Sequence, residues 1–302
     1  MNSKPVFKRT VLAAGLALLL GCGNYSNEDL DFQLALPEQS ELEVKMPQAL
    51  SVGNAAEYYV STRNVVIAVN SVAAALVGLV DNVRGYTPTS RNGNQRVWGP
   101  FPEDKHPDWQ MRVLMSREDE GARFSYRFQL RLAGQAGADF VDLMTGWYAA
   151  TGGARRGTGQ LVLDTTALRT LGYPVDDDFE DLALLTLDYS TAAYPFTIRM
   201  TATKVVTAGG NQTTYDYAQN EDGSGTLTFV MPLEQAVLDS NELSMTSRWL
   251  GSGAGRADAS LTRGERAIGT DCWGIDSVAT YRWRLWSSAA ENLGSADTCL
   301  IP

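Results

Sequence analysis

From residue 109 onward the chain keeps returning to a period of two, and that constrains its fold more than any other feature. The clearest run is Arg123–Leu132, where Phe124, Tyr126, Phe128, Leu130 and Leu132 alternate with Ser125, Arg127, Gln129 and Arg131. Neighbouring side chains of an extended backbone point to opposite faces, so such a run gives one face to a core and the other to water. The same texture marks residues 109–115, 160–163, 184–189, 196–206, 226–231, 243–250 and 278–286, with Gly, Asn and Asp at the breaks. Many of the linkers are too short for a crossover helix, which points to antiparallel pairing. Short helices are expected at 165–171 and 233–238.

Ahead of the strands, residues 54–83 read as a long helix, or two joined ones, with Asn54 as N-cap and Gly85 at the close. Its middle is apolar on nearly every side: Val65, Val66, Ile67, Val69, Val72 and the run to Val80 are interrupted by Asn70, Ser71 and Gly78 alone. A helix of this kind must be buried on most faces. The β-branched content leaves a strand pair as the alternative. The expected fold is mainly β with one long N-terminal helical segment (α+β), a large curved antiparallel meander covered by the helix.

That order of elements loosely resembles the unclosed β-barrels of periplasmic lipid and lipoprotein carriers. The resemblance implies an apolar pocket between helix and sheet, lined by Val66, Val69, Ala73, Leu76 and Val80. Its occupant would be a lipid, another apolar ligand or a lipid-modified partner. Two other classes stand beside it: a structural or interaction lipoprotein with no cavity, and a hydrolase built on two carboxylates.

A weaker echo recurs, an aromatic strand followed by a turn and Gly-x-Gly. It spans Trp147 to Gly157 and Gly159, Tyr217 to Gly223 and Gly225, and Trp249 to Gly253 and Gly255. These glycines open strands, and no helix N-terminus follows them, so they suit a bent hairpin with a ring lying across it better than a phosphate cradle.

The N-terminus carries its own signature. Lys4, Lys8 and Arg9 precede the apolar run 11–20, then Gly21 and Cys22. Ten apolar residues make a helix of about 15 Å, roughly half a bilayer core, which suits a cleaved export signal better than a permanent span. The run Leu19-Leu20-Gly21-Cys22 resembles the lipobox of bacterial lipoproteins. This implies cleavage between Gly21 and Cys22, acylation of Cys22 and membrane attachment through its acyl chains, and Gly23 implies sorting to the outer membrane. The domain reading is a signal peptide over 1–21, a lipidated polar tether over 22–50, and one helix-plus-sheet domain over 51–302. Within the tether, Leu30, Phe32, Leu34 and Leu36 alternate as a strand would.

Charge and cysteine usage narrow the classes further. The net charge of −10 becomes −13 when Lys4, Lys8 and Arg9 leave with the signal, a sign that repels nucleic acid. In an oxidising compartment Cys272 and Cys299 are natural disulfide partners. Asp176, Asp178 and Glu180 lie in an acidic cluster with oxygen ligands for Ca²⁺, but without the spacing or glycine of an EF-hand loop, which favours a solvated loop. His106, the single histidine, sits in a polar loop with no Gly-x-Ser-x-Gly elbow elsewhere, and no cofactor motif is present. The seven tryptophans suit sheet packing, with carbohydrate or lipid recognition as the alternative. Oligomeric state is not encoded in any of these patterns. Cys22→Ser should release the domain in soluble form or stall its precursor, as judged by fractionation; continued palmitate labelling of C22S would refute the anchor.

Overall fold

The computed structural model describes residues 27–48, 55–81, 85–103, 106–118, 123–134, 139–152, 155–174, 181–205, 212–237, 240–261, 267–288 and 292–301. Gly21, Cys22, Asn54, Asp176, Asp178 and Glu180 lie outside the described residues. Fourteen strands form one sheet in strict sequence order. They are β1 (Ser90–Asn92), β2 (Gln95–Pro102), β3 (Trp109–Arg117), β4 (Arg123–Leu132), β5 (Val141–Ala150), β6 (Gly157–Asp164) and β7 (Leu182–Ser190), then β8 (Phe196–Lys204), β9 (Gln212–Gln219), β10 (Gly225–Val237), β11 (Ser240–Trp249), β12 (Gly255–Ser260), β13 (Gly269–Trp273) and β14 (Ala279–Arg284). Every neighbouring pair is antiparallel, and β1 and β14 do not meet, so the sheet is an unclosed meander.

Among the described residues three α-helices accompany it: α1 (Asn27–Leu34), α2 (Glu57–Asp81) and α3 (Thr165–Leu171). At 25 residues, α2 is about 37 Å long. It packs along the inner face of the sheet, with its first turns on β11, β12 and β13. One core cluster joins Val69, Ala73 and Leu76 of α2 to inward residues from β2 through β9 and to Trp249 of β11. A second joins Tyr58 and Tyr59 to Phe229, Met245 and Trp273. The start of α2 is fixed by a residue far away in sequence. Asp271 of β13, fully buried, accepts the Tyr58 N–H at 2.9 Å and the Arg284 Nη1 at 2.8 Å. This places a carboxylate at the positive end of the helix dipole.

The expected strand through Leu30, Phe32, Leu34 and Leu36 is instead helix α1 and the turn after it. Phe32, Ala35 and Leu36 are buried while Leu30 and Leu34 stay exposed, which is the helical spacing of three and four. The deciding contact is the buried pair Asp29–Arg96, at 2.6 Å, with the Arg96 guanidinium over the Phe32 ring. The helix expected at 233–238 also gives way to tertiary pairing: β10 extends as a strand through Val237 and pairs with Ser240 across a register shift. α3 forms as expected, capped by the Asp164 side chain and closed by Gly172 in the left-handed region.

The glycine pattern has a physical cause. Gly146, Gly159, Gly225 and Gly255 each lie directly opposite an aromatic residue on a neighbouring strand: Tyr126, Tyr189, Trp249 and Trp273. At each, an added Cβ would collide with that ring. The rings lie flat across the missing side chains and let the sheet bend. The rings over Gly159, Gly225 and Gly255 are Tyr189, Trp249 and Trp273, each on the strand after the glycine, whereas the echo pairs these glycines with Trp147, Tyr217 and Trp249 on the strand before. Trp147 instead lies under the Arg123 guanidinium at 4.3 Å.

The far edge of the sheet is closed off by the C-terminal tail. Arg282 exchanges both backbone hydrogen bonds with Leu293, the Arg284 N–H donates to Asn292 Oδ1, and Thr298 Oγ1 donates to the Thr280 carbonyl. The Cys272–Cys299 disulfide, with Cα atoms 5.4 Å apart, holds the tail there. Unpaired edge groups are templates for association with another strand. Cys299→Ser should therefore lower the denaturation midpoint by the equivalent of about 3 kcal/mol and give concentration-dependent dimers in sedimentation velocity. A strictly monomeric C299S would show that the backbone bonds alone keep the tail in place.

Candidate functional site

Residues 39–48 cross the inner side of the molecule as a strap, a turn of 3₁₀ helix at Gln39–Glu41 followed by extended chain. Leu42 and Val44 turn into the core while Glu43 and Lys45 face out. No strand pairs with this segment among the described residues, so side chains satisfy its backbone. The Val44 N–H donates to Asn70 Oδ1 at 2.8 Å and Asn70 Nδ2 donates back to the Val44 carbonyl at 3.0 Å. On the other side the Lys45 N–H donates to Tyr217 Oη at 3.1 Å, and that hydroxyl donates to the Lys45 carbonyl at 3.3 Å. Tyr59 Oη reaches the Pro47 carbonyl at 3.1 Å. One amide on α2 and one phenol on β9 thus clamp the strap between helix and sheet.

The clamp leaves a groove of about 500 Å³ between the strap and the outer flank of α2. Its apolar lining is Val44, Met46, Val66, Ile67 and Ala74, and its polar rim includes Glu43, Lys45 and Arg63. Ile67 is 51% exposed. A smaller recess of about 190 Å³ lies across the strap, beside Arg155, Arg156, Phe196 and Tyr217. Arg155 pairs there with Glu38.

Of the five residues expected to line a pocket, Val66, Val69, Ala73, Leu76 and Val80 all belong to the main core cluster, and only Val66 also lines the groove. The inner side of α2 is a packed interface there. The open lining lies on the helix's other flank, at Ile67, Ser71 and Ala74. Only a third of the helix's most apolar 18-residue stretch is buried, at mean hydropathy 1.8. Sequence reasoning missed the strap, because its polar composition reads as a tether.

Other candidates resolve into structure. Trp98, Trp249 and Trp273 are buried, whereas Trp286 is exposed. The His106 ring meets the Tyr173 ring edge-on at 5.2 Å. Asp222 accepts the Ser224 N–H and hydroxyl, forming a turn after Asn220, and these bonds lower its carboxyl pKa. The two deeply buried carboxylates, Asp29 and Asp271, are each engaged by two arginines. Among the described residues no group of three or more His, Cys, Asp or Glu could hold a metal ion. Comparison with family models, with curated proteins and with solved structures finds no match for this chain.

Burial pushes the Tyr217 hydroxyl up from 10.0 to about 12, so the fold holds its neutral form. With the folded value above the unfolded one, its contribution is complete below pH 10 and fades as pH rises toward 12. Tyr217→Phe should lower stability by about 1 kcal/mol and speed hydrogen exchange at the Lys45 amide more than at Val44. The stability gap between wild type and Y217F should shrink over that alkaline range; an unchanged Lys45 amide would show that the phenol does not hold the strap.

Proposed function

We propose that this chain is a lipid-anchored cell-envelope lipoprotein whose domain binds an apolar ligand or a lipid-modified partner in the groove between the strap and α2. The observation that carries the reading is the groove itself. Its volume of about 500 Å³ falls in the range of small-ligand sites, and its floor is the flank of α2 on which Val66, Ile67 and Ala74 lie beside Arg63, Asn70 and Ser71. The anchor reading rests on the run Leu19 to Cys22 and the small, cleavable Gly21 before the cysteine. Asn27, where α1 begins, is five residues beyond Cys22, a reach of at most about 17 Å. An acylated Cys22 would therefore hold the domain against the membrane surface, the outer membrane by the Gly23 rule, on a leash of four residues rather than a long tether.

The packed inner side of α2 favours a second reading, a structural or interaction lipoprotein in which the helix fills the sheet. Native mass spectrometry of the purified domain separates the two. Bound lipid should co-purify with the wild type and vanish in Ala74→Trp, where an indole would stand in the groove. A74W, at a half-buried helical position, should lose no more than about 1 kcal/mol of stability, as read from its denaturation midpoint. A wild-type domain that carries no adduct would favour the structural reading.

A further inference from the structure

Lys45 of the strap, which also borders the smaller recess, and Arg63 of α2 both line the groove. Among the described residues their side chains are the two cations with no ion pair, hydrogen bond or ring contact. Every other described arginine and lysine is engaged. Most are paired with acids. The remainder bond to Gln or Thr side chains or lie over rings. In a chain of net charge −10, two idle cations at one groove stand apart from the general pattern of neutralisation. Glu43 is the one acid in the lining, so the groove keeps a net charge of +1.

The apolar part of the site has a direction. From Ile67 the exposed side of α2 continues through Ser71, Ala75 and Gly78, all small and open to solvent. A Cβ built at Gly78 would meet nothing within 4 Å. Ile67 to Gly78 is a track of about 16 Å at the helical rise, along which an alkyl chain can lie close to the helix backbone. Cations at one end and a track of small side chains leading away, its one hydroxyl, Ser71, already bonded to the Ile67 carbonyl, match one chemistry.

We propose that the groove takes an anionic amphiphile, a single alkyl chain with a carboxylate or phosphate head, the head between Lys45 and Arg63 and the chain along Ile67, Ser71 and Ala74. This deepens the reading given under Proposed function and rests on it. Charge selects the head and apolar area holds the chain, so the two parts can be removed separately.

The test uses the full chain in nanodiscs of zwitterionic lipid, probed with diazirine-bearing hexadecanoate, hexadecyl phosphate and uncharged hexadecanol. Cross-linked peptides are mapped by mass spectrometry. Both anionic probes should label the peptide covering α2, and Lys45→Gln with Arg63→Gln should cut that labelling by about ten-fold. Labelling by hexadecanol should be weaker and unmoved by the substitutions, which also shows that the variant is folded. Inorganic phosphate in excess should not compete, because it lacks the chain. Equal labelling by all three probes, or anionic labelling untouched by the charge variant, would overturn the head-group assignment and leave the groove intact. Labelling of α2 by none of the probes would overturn the groove as a binding site.

Discussion

At the first turn of α2 the Asp271 carboxylate takes the Tyr58 N–H on one oxygen and the guanidiniums of Arg284 and Arg282 on the other. A carboxylate with no exposure would cost several kcal/mol if left alone. Two cations and the positive helix end offset that, and loss of Asp271 would leave Arg284, at 5% exposure, with the more exposed Glu57 as its remaining acid, a penalty on the order of a few kcal/mol. Residues one apart on a strand face opposite sides. Asp271 and Trp273 therefore meet α2 while Cys272 between them meets the tail. β13 is fastened from both faces, one strand in from the edge that the tail covers. The dependence runs onward: Asp271 sets α2, Asn70 of α2 sets the strap, and the strap forms one wall of the groove.

Much of the fold is legible because one interaction repeats locally. The alternation of Phe124 through Leu132 needs only its neighbours to define a face, and Asp164 caps α3 from within the same stretch of chain. What escaped was decided from afar. Leu30 to Leu36 alternate as a strand would, but Asp29 pairs with Arg96, 67 residues on, and that contact sets the helix. The strap fails for the same reason, since Tyr217 lies 172 residues from Lys45. A helix apolar on all sides does not reveal which flank the sheet will cover. So Val69, Ala73 and Leu76 were the natural choices for a pocket, and Ile67 and Ala74 were not.

The aromatic–glycine pairs explain why so long a sheet needs no closure. Fourteen twisted strands in one open sheet exceed the size at which such sheets usually curl or split. Rings lying over Gly146, Gly159, Gly225 and Gly255 let the inner face contract where a Cβ would force it apart, and the curvature wraps the sheet around α2. The helix lies on β11 to β13 and shares a core with β2 through β9, so side-chain packing holds the curve where strand pairing does not. Closure by side chains leaves the strap side accessible, which a sealed barrel would not.

The distance between Tyr58 and Asp271 also has a meaning in time. They are 213 residues apart, and at about 5–20 residues per second a ribosome takes tens of seconds to supply the second after the first. Successive hairpins can zip together as they are made, because each strand pairs with the one before it. α2 cannot find its charge partner until nearly the whole chain exists. The most apolar helix of the domain is thus among its first parts made and the last to be locked. A cell making this chain must shield that helix throughout the interval.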